Sequence, residues 1–228
     1  MAADTYARRD LYGGALSVSL PHGLIDTSDL RQVPDHQEVF LSRRSLTSII
    51  FEINEYQDSE TVSSSNGSPE DTNITSEQNT TDLAAAIHHL TDTIPESDHL
   101  DPNSVHHETV AMQSASLAKY PAYSSTATVI VPEVDRTIAT TLPPAWQSDP
   151  TTRNTQTRVQ QLLVRMQEYA TDLVVRIYTP LKEYEVPDGN SAEGATRAEA
   201  EYGWAREAMR QIVATLEVKN FEVFGEEE

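Results

Sequence analysis

Between residues 11 and 56 the chain reads LYGGALSVSLPHGLIDTSDLRQVPDHQEVFLSRRSLTSIIFEINEY, in which strand-length runs alternate with breaks that carry Gly or Pro. Residues 15–20 and 38–41 mix apolar and polar side chains at strand spacing, and residues 48–53 are an apolar run closed by Glu52, Asn54 and Glu55. These runs predict neighbouring strands of one sheet. Gly13-Gly14, Pro21-His22-Gly23 and Pro34-Asp35 mark the reversals, since Gly supplies positive φ and Pro fixes φ ahead of a turn. The same reversals gather acid: Asp26, Asp29, Asp35 and Glu38.

The rest of the chain differs in texture. Residues 57–81 hold almost no apolar side chain, so burial there offsets little ordering entropy, and the stretch reads as an insertion outside the core. It is one reason why only 38% of the 228 residues are hydrophobic. Leu83, Ile87, Leu90 and Ile94 then recur at helical spacing and predict a short amphipathic helix over residues 82–91. Strands are expected within residues 105–117 and 127–138, the second at an edge or a bulge because Pro132 lacks a donor. Residues 172–179 predict a strand from their β-branched content, whereas residues 157–167 fit either a helix or a strand. Ala198, Tyr202, Ala205, Met209, Ile212, Val213 and Leu216 draw the apolar stripe of a long last helix, and Phe221, Val223 and Phe224 are anchors for the tail. One domain over residues 10–225 is expected, interrupted by polar loops near 57–81, 95–104, 142–156 and 182–194. Residues 1–9 and 226–228 read as flexible tails.

Composition narrows the chemistry. A net charge of −20 disfavours non-specific contact with nucleic acid or an anionic membrane and suits a basic protein partner, the bland alternative being a solvated acidic surface. The chain has no cysteine, which removes disulfides, thiol catalysis and thiolate metal sites. Residues 1–10 are polar with Arg8 and Arg9 and show no leader-like apolar core, and no stretch is long enough to cross a bilayer. The expectation is therefore nucleocytoplasmic, and the sequons at Asn66, Asn73 and Asn79 read as chance products of a Ser/Thr/Asn-rich tract. Phosphate-binding glycine loops, zinc spacings and nucleophile elbows are missing from the sequence. His88-His89 and His106-His107 are adjacent pairs whose members point apart, so each pair offers at most one metal ligand. Acid pairs such as Glu52 and Glu55 suit a binding rim better than general acid/base work, since no other catalytic group stands beside them. Trp146 and Trp204 read as packing residues.

Several features of residues 11–40 occur together in fixed order: the Gly13-Gly14-Ala15 turn, Pro21-x-Gly23-x-Ile25-Asp26, Asp29-Leu30-Arg31, and Val33-Pro34-Asp35-x-Gln37-Glu38-Val39. This signature closely resembles the opening of the Ran guanine nucleotide release factors, the Mog-type nuclear import proteins. The similarity resumes at SIIFEINEY, at the Leu83 helix, at VRMQEYATDLVVRIYTPL and at the terminal VFG. The resemblance implies an α/β (α+β) fold shared with PsbP-type proteins, a central antiparallel sheet flanked by helices on both faces, with a strand where residues 157–167 left the choice open. It implies binding to the small GTPase Ran, release of Ran's guanine nucleotide and support of nuclear protein import, by a monomer of nucleus and cytoplasm that is no enzyme and needs no cofactor. The acidic surface it implies maps here onto Asp26, Asp29, Asp35, Gln37, Glu38, Glu52 and Glu55. Strand parity sets Glu52 opposite Ile49 and Phe51, free to meet a partner, while Glu55 shares their parity and reaches solvent only if the strand ends there. The competing reading is an acidic adaptor that binds Ran or another basic protein without altering nucleotide exchange.

Overall fold

The computed structural model describes residues 5–58, 77–134, 152–184 and 191–225. Among them, β1 (Tyr6–Leu11), β2 (Leu16–Pro21) and β11 (Glu217–Val218) form a small sheet in the order β1-β2-β11. A larger sheet runs β3 (Ile25–Asp26), β4 (Gln37–Leu41), β5 (Ser48–Glu55), β10 (Thr171–Pro180), β9 (Thr152–Met166), β8 (Ala122–Val134) and β6 (His99–Leu100), with β7 (His106–Val110) also paired to β8. Every pairing is antiparallel. Among the described residues two α-helices accompany the sheets, α1 (Glu77–Asp92) and α2 (Ser191–Thr215).

The centre of the larger sheet follows from its side chains. β10 is buried along nearly its whole length, as its β-branched run requires, and is enclosed by β5 and β9 in unbroken register from Leu173 opposite Ile53 and Val164 to Ile177 opposite Ile49 and Gln160. Residues 157–167 are strand up to Met166, which settles the open choice in favour of β9. Alternate residues divide between two apolar groups. Phe51, Leu162, Val164, Leu173, Val175 and Ile177 cluster with the α2 stripe of Ala205, Ala208, Met209 and Ile212 and with Leu216 just beyond the helix. Leu163 and Val174, of the other parity, cluster with Tyr123 and with Ala85 and Ala86 of α1.

Pro132 pairs with Asn154 in a β8–β9 register free of bulges. It lies beyond Ile130, where the pairing with β6 ends, so the missing donor falls at a local edge. The expected anchors of the tail are in place, with Phe221 stacked on Tyr169 at 4.9 Å between centroids and Phe224 beside both.

Several expected boundaries are corrected. Residues 6–9, read as part of a flexible tail, belong to β1; the strand is mostly polar, pairs with the adjoining β2, and has its ion-pair partners far along the chain. Arg8 donates to Ser17 at 2.5 Å and pairs with Glu217, while Lys219 Nζ meets Asp10 at 2.7 Å. Helix α1 begins at Glu77, inside the tract read as loop, and β9 and α2 likewise begin within the expected loops 142–156 and 182–194. The expected loop 95–104 contains β6 and a 3-10 turn over Pro102–Ser104, whose cap is Asp101 accepting from the Asn103 amide. Residues 59–76, 135–151, 185–190 and 226–228, and with them the sequons at Asn66 and Asn73 and Trp146, lie outside the described residues, whereas Asn79 falls in the first turn of α1.

Candidate functional site: an acidic margin of β3, β4 and β5

The start of β4 is held by the reversal that the glycines make. Gly13 and Gly14 adopt φ of 63° and 93°, which turns the chain so that the Tyr12 amide donates to Glu38 Oε1 at 2.7 Å and the Tyr12 hydroxyl to the His36 carbonyl at 3.2 Å. Burial, reinforced by the charge of Glu38, raises the Tyr12 phenol well above its usual range, so it stays a donor. Opposite, the Ile53 amide donates to the His36 carbonyl at 3.0 Å, and Gln37 pairs in register with Glu52. The end of β4 nearest Asp35 and the end of β5 nearest Glu55 are thereby side by side.

Most of the expected acidic surface converges here. Asp35 and Glu55 are exposed, Glu55 as the last residue of β5, which is the strand end that its parity required. Gln37 and Glu38 are half-buried on β4. Asp26 pairs with Phe40 across β3 and β4, and its carboxylate accepts from the Ser28 amide at 2.9 Å and hydroxyl at 2.6 Å, capping the turn that exposes Asp29.

Glu52 is the exception. It has the expected parity, but the face it occupies is closed: Glu52 is only 7% exposed and pairs with Arg176 of β10, while Gln37 Nε2 donates to its second oxygen at 2.8 Å. Arg176 is buried too, and its other donors reach Gln161 Oε1 at 3.1 Å and the His89 carbonyl of α1 at 2.6 Å. Burial lowers its proton affinity from the ordinary guanidinium value, and the Glu52 carboxylate compensates the charge. Glu52 therefore holds the acidic margin in place through Gln37 and presents no free carboxylate to a partner. Arg176 went unnoticed in the sequence; its signal is a cation in the middle of an apolar strand, which demands a buried carboxylate from another strand.

A second buried cluster lies along β9 and β10. Arg165 donates to Asp82 at 2.6 Å and Asp172 at 3.1 Å, Asp172 accepts from the Gln57 amide at 3.0 Å and meets His89 Nε2 at 2.9 Å, and Tyr123 donates to Asp82 at 2.7 Å. His89 is thus occupied by a carboxylate, while His107 Nδ1 lies 2.7 Å from the Ser125 hydroxyl. Among the described residues, no group of three or more His, Asp or Glu side chains is arranged to hold a metal ion, and no helix is long and apolar enough to cross a membrane.

These features define a mixed α/β protein dominated by an antiparallel sheet, with an exposed acidic margin on it. The same fold is seen in the Saccharomyces cerevisiae Ran-binding protein Mog1p, which superposes at a TM-score of 0.51 with 21% identity over 98% of this chain and all of that one. The profile of the family described as Ran-interacting Mog1 protein matches residues 9–180, and the chain belongs to that family. A Dictyostelium discoideum protein named probable Ran guanine nucleotide release factor is 45% identical over 56 residues, 25% of this chain and 29% of that protein. The Bos taurus Ran guanine nucleotide release factor is 60% identical over 47 residues, 21% of this chain and 25% of its own length. The matched segments thus span less than a third of either relative.

Proposed function

We propose that this chain binds the small GTPase Ran and promotes release of its guanine nucleotide, in support of nuclear protein import. The observation that carries the reading is the family match over residues 9–180, which encloses the whole acidic margin, together with relatives named Ran guanine nucleotide release factor. The protein would act as a regulator without catalytic residues: one that binds nucleotide-free GTPase more tightly than the loaded form lowers nucleotide affinity by the same factor, because coupling between two sites is reciprocal. Carboxylates suit the task, since a GTPase nucleotide site offers lysine and Mg²⁺ to phosphates and acids can engage such cations. Asp29, Asp35 and Glu55 are the contact residues in this reading, with Asp26, Gln37, Glu38 and Glu52 fixing the surface that bears them. The protein would work as a monomer between nucleus and cytoplasm. We also propose a single domain in which a helix covers each face of the larger sheet, a reading supported by the opposite parity of the strand residues that cluster with α1 and with α2.

The test is release of a fluorescent guanine nucleotide from purified Ran. Asp29→Lys with Asp35→Lys and Glu55→Lys is expected to keep the native circular dichroism spectrum and lose about 2–5 kcal/mol of Ran affinity, with release slowed to match. A folded triple variant that binds and discharges Ran like the parent removes these acids from the site. Binding by the parent without any acceleration of release would favour the adaptor reading instead.

A further inference from the structure

The acidic margin offers charge, and one exposed leucine lies beside it. Leu30 is 67% exposed, against 53% for Leu46 and 37% for Ile87, the other large apolar side chains left open to solvent among the described residues. It joins none of the three apolar clusters. It follows directly on Asp29 in the β3–β4 connection, where Asp29, Arg31 and Asp35 are exposed as well. The backbone beneath it is pinned. Thr27, buried at the foot of the 3-10 turn (Thr27–Asp29), accepts at its carbonyl from the amides of Leu30 at 2.9 Å and Arg31 at 3.0 Å, and the turn packs against β4. At the other end of the connection the Gln37 amide donates to the Pro34 carbonyl at 2.9 Å. A held turn therefore presents a leucine to water beside carboxylates, and folding gains little from its side chain.

We propose that Leu30 is the apolar anchor of the partner-binding surface, seated in an apolar hollow of Ran whose basic rim meets Asp29 and Asp35, an assignment that rests on the Ran-binding reading above. Exposed ion pairs are screened by salt and contribute little one by one, whereas a stable interface has a desolvated apolar centre inside its polar rim. Along the β3–β4 connection and the ends of β4 and β5 that carry the acids, Leu30 is the one large apolar side chain that is exposed. Most of its area leaves water only in the complex, so that burial counts toward binding alone. The pinned turn limits the ordering cost of docking. Charge and apolar contact then leave separable signatures: the acids speed encounter and respond to salt, while the anchor slows dissociation and does not.

The experiment follows association and dissociation of the full chain with purified Ran, in the nucleotide state that the parent binds most tightly, at low and at high salt. Leu30→Ala is expected to weaken binding by roughly tenfold or more, through faster dissociation and by the same factor at both salt concentrations. Leu30→Met, which keeps an apolar side chain of similar volume, should lose less. Leu46→Ala, the same change at the exposed leucine of the β4–β5 turn, should bind as the parent does. Asp29→Asn with Asp35→Asn should instead slow association and flatten the salt dependence. Leu30→Ala is expected to melt at the parent temperature, as an exposed side chain should. Four results overturn the anchor while leaving the Ran-binding reading in place: parental affinity in Leu30→Ala, a loss that vanishes at high salt, an equal loss in Leu46→Ala, or a melting temperature lowered by Leu30→Ala, which would mean that the side chain packs in the free protein. A parent that binds Ran in none of its nucleotide states removes the reading of function itself, and the anchor with it.

Discussion

Two rows of residues cross the larger sheet one position apart, and they are built on different principles. Phe51, Val175 and Leu162 lie in register on β5, β10 and β9, all fully buried and all apolar. One residue further along, Arg176, Gln161, Ser125 and His107 lie in register on β10, β9, β8 and β7. The first row needs only shape and area, and its members are interchangeable within volume. The second needs named partners, because each polar group withdrawn from water is costly until its donors and acceptors are met. Gln161 shows the difference: its Oε1 receives Arg176 and its Nε2 donates to the Ala86 carbonyl, so both ends of one amide are used, one on a strand and one on α1. An apolar face therefore tells a helix to pack there, whereas the polar face also tells it where.

The largest expected effect breaks the apolar side. Ile212 of α2 is fully buried in the cluster that contains Phe51, Val175 and Leu162. Ile212→Asp places a charge there with no partner and is expected to abolish cooperative thermal unfolding, a cost of about 4 kcal/mol or more. A soluble variant with a sharp melting transition would show that α2 does not depend on that cluster. Next in size is the ion pair beside the polar row. Arg176→Met leaves Glu52 buried and uncompensated and is expected to cost about 3–5 kcal/mol in urea denaturation, while Arg176→Met with Glu52→Leu should recover much of that loss. The four corners of this double-mutant cycle give a coupling energy directly, and near-additivity would mean that the two charges are solvated separately. If Ran binds as proposed, its affinity for the recovered double variant is informative in its own right: Gln37 would lose its Glu52 contact, so weakened binding at restored stability would assign Glu52 to positioning the acidic margin.

The contrast also explains what the sequence made legible. Strand runs and the α2 stripe were readable because periodicity is a local property: β2, β4, β5, β10 and α2 appear where alternation or helical spacing predicts them. The exposed acids Asp29, Asp35 and Glu55 were readable for the same reason, lying at turns or at a strand end. Glu52 was assigned the right parity and the wrong environment, since nothing within a few residues of it discloses that Arg176, a strand away in space and far along the chain, closes its face. β1 was missed for a different reason: although it pairs with the adjoining β2, its mostly polar run gives no alternation to read, and its side-chain ties to Glu217 and from Asp10 to Lys219 join opposite ends of the sequence. Alternation tells which side a residue takes, and only the pairing of strands tells what covers that side.

The smallest expected effect tests how far the polar row extends, at its last member. His107 on β7 is half-buried; its Nδ1 is satisfied by Ser125, and its Nε2 is buried with no partner among the described residues. Burial, aided by the adjacent charge of His106, lowers its pKa below the usual 6.5, so the folded chain takes up this proton later than the unfolded chain as pH falls. The sign follows by linkage: above 6.5 both states are neutral here and the residue imposes no penalty, and as pH drops below 6.5 the unfolded state binds the proton first and stability declines until the folded state is protonated as well. Carboxylates titrate in the same descent, so the residue's share is the difference between parent and His107→Gln, whose amide can still meet Ser125 but does not titrate. Urea midpoints measured between pH 7 and pH 5 should fall more steeply for the parent than for the variant, with the two curves parallel above the His range. Equal slopes throughout would place His107 in water and end the polar row at Ser125, whereas a steeper variant would reverse the sign and require a carboxylate facing the ring.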